Sequence, residues 1–367
     1  MSSKQALRPR LSLGPVNGLR RISPRMMSVS IVAGPAARVV TDKIRSRTER
    51  SRVFEPISGS NPDRIIEQIT KFAQNGETDH LIIQCEEDRP IMAYASSFAD
   101  PSGALANLCR LTTAAFAIKP ATFLDSLLNR KATSASPCFM AEQLEFVTDI
   151  LFDGAANDPD LPLARAIAQT LNPRARVVPL TESALSAFGK HAAAPFDFAK
   201  ALEGAGWRKM LDEKTSTRSG GGEVTAFGYR ARRPFHPERL WTLLQTGLTG
   251  LFRAKGFFWL ATRMDEVGGL NLAGAEIQCA SAGRWWAVRD AQARDREMPE
   301  RTRNEWQEPF GDRRQSFAVM ARGVGRDALQ LQLDGCLVTD EEMAGGPDSW
   351  RDLPDPFPSW SAHGHTH

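Results

Sequence analysis

The chain has 367 residues, 42% of them hydrophobic, enough to bury two ordinary cores, and no run approaches the roughly 20 apolar residues that a membrane-spanning helix needs. Its net charge of +3 comes from the amino terminus: Lys4, Arg8, Arg10, Arg20, Arg21 and Arg25 lie in the first 27 residues with no acid among them, and the rest carries 40 basic against 43 acidic groups. That balance argues against a nucleic-acid-binding body, and five scattered cysteines with no CxxC pair argue against a disulfide framework or a compact thiolate zinc site, so the expected compartment is the reducing cytoplasm.

Residues 1–27 lack the apolar centre of a secretory signal; they overlap in character with an organelle transit peptide but read best as a disordered basic extension, or as an upstream extension of a chain whose natural start is Met26 or Met27. Residues 29–33 form a short β-prone run that stops at Gly34-Pro35 and read as a first core strand. Helical spacing at Ile65, Ile66, Ile69 and Phe72 is followed by an apolar run at 80–85 of strand length. Residues 141–147 read as helix, 149–152 as strand, 163–171 as helix and 176–180 as strand, the alternation of βαβ units on a parallel sheet. The composition then shifts, because all eight tryptophans lie at or after Trp207. Residues 211–222 are polar, end in Ser-Gly-Gly-Gly and read as a flexible linker. Beyond it a strand is expected at 223–230 and a helix at 237–251, with Leu240, Leu243, Leu244, Leu248 and Leu251 on one stripe and Pro237 in its first turn. Strands at 256–262, 275–279 and 316–320 and a closing helix at 326–336 complete an α+β second half, before a Pro-rich, irregular tail from Gly345.

Residues 229–241 read YRARRPFHPERLW and 253–263 read RAKGFFWLATR. After them come DEVG at 265–268, AGRWW at 282–286, GDRRQ at 311–315 and LDGCLVTDEE at 333–342. In wording and order these blocks resemble the C-terminal domain of the CobW family, metal-handling P-loop GTPases, and RRPFHPERLW and KGFFWLATR are similar to its zinc-responsive branch. The first half resembles the family more weakly. QLEF at 143–146 with Thr148-Asp149-Ile150 looks like the entry to the family's guanine-recognition strand, and residues 122–125 lie where the family places the preceding strand and loop. The resemblance implies an α/β chain. It has a P-loop NTPase-like parallel-sheet domain at 28–190, a linker at 191–222, a smaller α+β CobW C-terminal domain at 223–342 and a tail at 343–367. It also implies that an N-terminal GTPase drives metal delivery while the C-terminal domain helps to recognise clients.

Against that pattern the chemistry is missing. A P-loop, GxxxxGK[ST], wraps backbone N–H groups round the phosphates, neutralises them with lysine and holds Mg²⁺ with a hydroxyl. At the matching place Gly34, Arg38 and Thr41 remain as nucleotide-binding candidates, but Val39 replaces the second glycine and Val40 the lysine. Valine takes positive φ poorly and brings no charge. Where the family has Glu and Gly after its second core strand, residues 84–87 read QCEE, and Glu87 would repel a γ-phosphate. The NKxD guanine motif is replaced by Asp153-Gly154-Ala155-Ala156, with Asn157-Asp158 just beyond. The CxCC metal motif has no counterpart at 54–61, where Glu55 keeps the flanking acid. The expectation is that GTP hydrolysis is lost and that GTP and Mg²⁺ binding are lost with it.

His363, His365 and His367 alternate in the tail and form a candidate Zn²⁺ site, with a solvated terminus as the plain alternative. His236 precedes a helix and either caps it or meets a partner. Arg253 and Lys255, with Arg263, form either a basic rim facing the N-terminal domain or strand-end solvating charges. Trp241, Trp259, Trp285 and Trp286 are expected in the second core. Three readings stay open. One is a metallochaperone-related protein without GTPase activity that binds a metal-requiring client or an intact CobW homologue. The second is a working GTPase using Arg38 and Thr41, and the third is an interaction module without metal.

Overall fold

The computed structural model describes residues 26–45, 50–57, 59, 61–86, 88–129, 136–187, 195–212, 217–219 and 223–360. The basic extension up to residue 25 and the histidines His363, His365 and His367 lie outside the described residues.

The first half runs β1 (Met27–Ala33), α1 (Ala37–Arg45), β2 (Ser51–Phe54), α2 (Pro62–Gln74), β3 (His80–Gln84), α3 (Ile91–Ala95), β4 (Cys109–Ile118), α4 (Pro120–Leu128), α5 (Pro137–Phe146), β5 (Asp149–Phe152), α6 (Leu161–Leu171), β6 (Arg176–Pro179) and α7 (Glu182–Ala187). Its strands pair in parallel as β2-β3-β1-β4-β5-β6. Helices cover both faces, which is why β1 reads as a continuous apolar run: Val29 and Ile31 point to one layer and Val32 to the other, all out of water. The connection from β1 runs towards β2 on one side and that from the neighbouring β4 towards β5 on the other, making their carboxyl ends a topological switch point, where ligands bind in such sheets. Residues 122–125, expected as a strand and loop, lie instead in α4. Pro120 opens that helix, and Phe123, Leu124 and Leu127 repeat at helical spacing on its buried side.

The second half runs α8 (Phe198–Leu202), α9 (Gly206–Asp212), β7 (Thr217–Ser219), β8 (Val224–Ala231), α10 (Pro237–Thr246), β9 (Leu251–Phe258), β10 (Glu266–Ala273), β11 (Glu276–Arg284), α11 (Ala291–Glu297), α12 (Glu300–Asn304), β12 (Gln315–Arg322), α13 (Arg326–Asp334) and α14 (Asp340–Trp350). A second sheet, antiparallel throughout, has the order β11-β10-β9-β12-β8-β7. The stretch expected as a flexible linker begins inside α9 and later pairs as β7 on the sheet edge. The helix expected at 237–251 stops at Thr246, because Gly247 turns the chain at φ 83° and Leu251 already opens β9. Both segments bury leucines, so apolar spacing alone ran across the break. The strand expected at 256–262 accordingly starts earlier and ends at Phe258. Strand β10 escaped notice because Gly268 and Gly269 interrupt its pattern; Gly268 leaves room for the Phe258 ring.

One face of the second sheet packs on α10 and α13 through Leu240, Leu244, Leu329 and Leu333. The other joins the first half: the core round β1 and β4 continues without a break into Val224, Ala226, Ala318 and Met320. Helix α9 lies against β8 at Gly228, where a Cβ would come within 2.4 Å of the Met210 carbonyl oxygen. Trp259, Trp285 and Trp350 form a separate aromatic cluster with Phe310, while Trp241 sits half-buried on Phe357, and Trp286 lies under Arg289. The Pro-rich tail therefore packs back: Trp350 and Phe357 are buried, and Asp355 pairs with Arg263 at 2.8 Å. No helix among the described residues is long and apolar enough to cross a membrane.

Candidate functional site

The switch point holds the segment 34–41. Gly34 takes φ +96°, and a Cβ there would lie 2.5 Å from the Ala117 carbonyl oxygen, so only glycine lets the turn sit this close to β4. The turn is short, and α1 begins at Ala37, inside the stretch that a phosphate-cradling loop would occupy. Its amides are committed: Ala36 N–H donates to the Ala117 carbonyl at 3.0 Å, and Ala37 N–H to the Gly34 carbonyl at 2.9 Å. Val40 is 0% exposed among Val32, Ile82, Ala117 and Leu151, so the position of the family's lysine points into oil. The Thr41 hydroxyl lies 2.6 Å from Gln84 Oε1 and 3.0 Å from the Arg38 carbonyl, which occupies the group that would hold Mg²⁺. Arg38 itself points outward, its side chain 81% exposed and 4.0 Å from Asp42. Gly34 thus opens the turn, Thr41 lies inside α1 and Arg38 faces away, and the residues present do not fit the phosphates of a magnesium nucleotide.

Beside the turn, β3 ends at Gln84 and is followed by Cys85 and Glu86. The Glu86 carboxylate pairs with Arg89 at 3.1 Å and accepts from the Tyr94 hydroxyl at 3.3 Å. Burial pushes the Cys85 thiol up, helped by Glu86. The other thiols behave alike: burial takes Cys109 and Cys336 to about 11, and Cys138 and Cys279 to about 12. Zinc ligation needs the thiolate, and among the described residues no three His, Cys, Asp or Glu side chains come together as a metal site.

The second constellation is the seam between the halves. Arg253, 0% exposed, reaches from β9 to Glu145 of α5, 5% exposed, in a bidentate pair at 2.7 and 3.1 Å. The remaining guanidinium donor is used by Asn271 Oδ1 at 2.7 Å and the Leu272 carbonyl at 3.0 Å. Burial alone would lower the Arg253 pKa, but the Glu145 carboxylate outweighs it and the net shift is upward. Lys255 extends the pairing to Glu142 at 2.7 Å. At the other end of α5, Glu276 of β11 accepts from the Ser136 hydroxyl at 2.5 Å and Cys138 N–H at 3.0 Å, binding the helix start to the second sheet. These hydrogen bonds hold the Glu276 carboxyl below its ordinary value against the opposing effect of burial.

His236 lies away from this seam. It precedes α10 without a side-chain cap, its N–H donates to the Cys336 carbonyl, and its Nε2 is 4.0 Å from Glu342. Its buried Nδ1 has no hydrogen-bond partner. The sequence left Arg253 and Lys255 as either a rim facing the N-terminal half or strand-end charges, and it did not reveal their partners Glu142 and Glu145. Their signal was two acids three apart in a helix with few other charges, one of them on its buried side.

Residues 224–337 match the family model described as the cobalamin synthesis protein cobW C-terminal domain. The chain carries a CobW C-terminal domain. That domain comprises the second sheet from β8 to β12 with α10 to α13, including the Arg253 and Lys255 side of the seam. Over 316 residues the chain is 28% identical to zinc-regulated GTPase metalloprotein activator 1 of Dictyostelium discoideum, covering 80% of this chain and 66% of that protein, so the likeness extends from the CobW domain into the parallel-sheet half. It is 38% identical over 142 residues to a zinc chaperone of Mycobacterium tuberculosis, covering 38% of this chain and 35% of that one. The chain thus spans less than two thirds of the length of these relatives. Among solved structures, the Zn(II)-bound YjiA GTPase from E. coli aligns at 11% identity and a TM-score of 0.35, over 85% of this chain and 99% of that chain.

Proposed function

We propose that this chain is a metallochaperone-related docking protein of the cytoplasm. Its CobW C-terminal domain engages a metal-requiring client or an intact CobW homologue, and its parallel-sheet half serves as a scaffold that does not hydrolyse GTP. The observation that carries this reading is the filled turn at residues 34–41, where helix α1 begins early, Val40 is buried and Thr41 is bonded to Gln84. The relatives' names, a zinc-regulated metalloprotein activator and a zinc chaperone, support the metal-delivery context. Calorimetric titration of the full chain with GTP and Mg²⁺, alongside a phosphate-release assay, is expected to give neither binding nor turnover. Micromolar binding with turnover would sink the scaffold reading and favour a working GTPase.

Zinc, in this proposal, is cargo held loosely by His363, His365 and His367. Three alternating imidazoles supply borderline ligands of the kind that bind Zn²⁺. Deleting 363–367 is expected to abolish zinc uptake in equilibrium dialysis. Unchanged uptake would remove the tail from the proposal, and no uptake by the full chain would favour an interaction module without metal.

A further inference from the structure

The face of the second sheet that carries Arg253 and Lys255 does not end at the seam. By strand alternation it continues through Phe257, opposite Ser316 on β12, and these two residues floor an open groove of about 830 Å³. Its lining includes Trp207 and Arg208 of helix α9 together with Arg174, Arg301 and Arg314.

The charge of this groove is unbalanced. Five basic side chains line it against three acids, in a chain whose body is slightly acidic. Asp212 is already paired with Arg301 at 2.7 Å, and Glu305 with Arg314 at 2.6 Å. Beside the lining residue Glu305, Arg232 donates to the Glu305 carbonyl through Nη2 while its Nη1 is buried without a partner. Burial holds the Arg314 guanidinium below its ordinary value, and Arg232 and Arg230 add to this against Glu305. Two of the groove's cations are oriented by rings: Arg208 lies 4.9 Å from the Trp207 ring, which Lys255 outside the groove also approaches at 5.5 Å, and Arg314 lies 4.9 Å from Phe257. A ring orients a cation without neutralising it, so the charge of Arg208 stays available to an incoming anion, whereas Arg314 shares its charge with Glu305.

We infer that this groove docks an acidic, extended segment of a partner protein. This rests on the client-docking reading above and names the client's contact chemistry. The cations come from four separate elements, the turn after α6, α9, α12 and the turn before β12, rather than converging on one point, which suits carboxylates repeated along a chain. Nucleic acid suits it less, because Trp207 already carries two cations over its ring and offers little surface for a base to stack on.

The test uses the full chain and a fluorescein-labelled dodecapeptide of Glu, Asp and Gly, followed by anisotropy at low and at physiological salt. Saturable binding is expected, weakened about tenfold or more by Arg174→Glu with Arg208→Glu, both exposed positions, and unaffected by Arg351→Glu at a remote exposed site. Peptide-dependent protection from hydrogen exchange is expected at 204–212 and 301–316. No peptide binding, equal binding by the reversed variant, protection elsewhere, or tighter binding of oligothymidine or inorganic polyphosphate would each overturn the assignment. The outcomes separate from those above: GTP turnover would remove the scaffold reading and leave the groove standing, whereas a chain inert to both GTP and peptide loses only the groove.

Discussion

Position 40 condenses the chemistry of the parallel-sheet half. A lysine there would place an ammonium among Val32, Ile82 and Leu151, with the neighbouring amides already bonded. Val40→Lys is therefore expected to leave GTP turnover absent and to destabilise the fold by several kcal/mol, the order of an unpaired buried charge. Thermal denaturation and a phosphate-release assay check both parts; turnover restored by this one change would show that the turn can still open. His236 carries a second expectation. Burial lowers its pKa from 6.5, Arg239 adds to this, and Glu342 and Glu238 oppose it. A depressed folded value means that the unfolded chain takes up the proton first. The stability is present above pH 6.5 and is lost as pH falls through the folded value. His236→Gln is expected to flatten the fall in melting temperature between about pH 7.5 and 5.5, and an identical slope in the variant would remove His236 as its source.

At the scale of elements, helix α5 ties the halves together. Its buried face meets β9 and β10 through a fully desolvated ion pair, and removing one partner leaves the other charge stranded. Arg253→Met or Glu145→Gln is expected to cost about 3–5 kcal/mol in urea denaturation, and the double change Arg253→Met with Glu145→Leu to regain most of it. Additive losses would mean that the pair is not coupled. Helix α9 depends on closeness instead. Gly228→Ala sets a methyl 2.4 Å from the Met210 carbonyl, and overpacking of this kind costs about 1–3 kcal/mol. Because α9 also carries Trp207 and Arg208, the same variant is expected to weaken acidic-peptide binding. Unchanged stability and binding would show that the helix shifts freely.

For the whole molecule, one apolar core runs from β1 through α5 and α6 into β8 and β12, so the halves are packed as one body and not strung on a linker. Calorimetry is expected to give a single transition. Two resolved transitions would show that the seam adds too little to couple the halves.

Much of this was legible in the chain itself. The helix near 65–72 was readable because Ile65 and Ile69 are buried at helical spacing, the strand at 149–152 because it is a short apolar run, and the CobW blocks from 229 to 342 because they are words in order. The losses at Val39 and Val40 also follow from composition, since a missing charge needs no structure to be noticed. What the sequence could not carry was any relation between distant residues. Glu145 and Arg253 stand 108 positions apart, and Thr41 and Gln84 stand 43 apart. Where one apolar stripe ran on through Gly247 into β9, local spacing was silent about the break. Charge counts in sequence average over the surface, whereas the groove beside Trp207 exists because folding gathers five cations from four elements on one side. Period and composition are local properties, written in the order of residues. Burial, pairing and surplus charge arise only when the chain closes on itself, and the tertiary structure alone decided them.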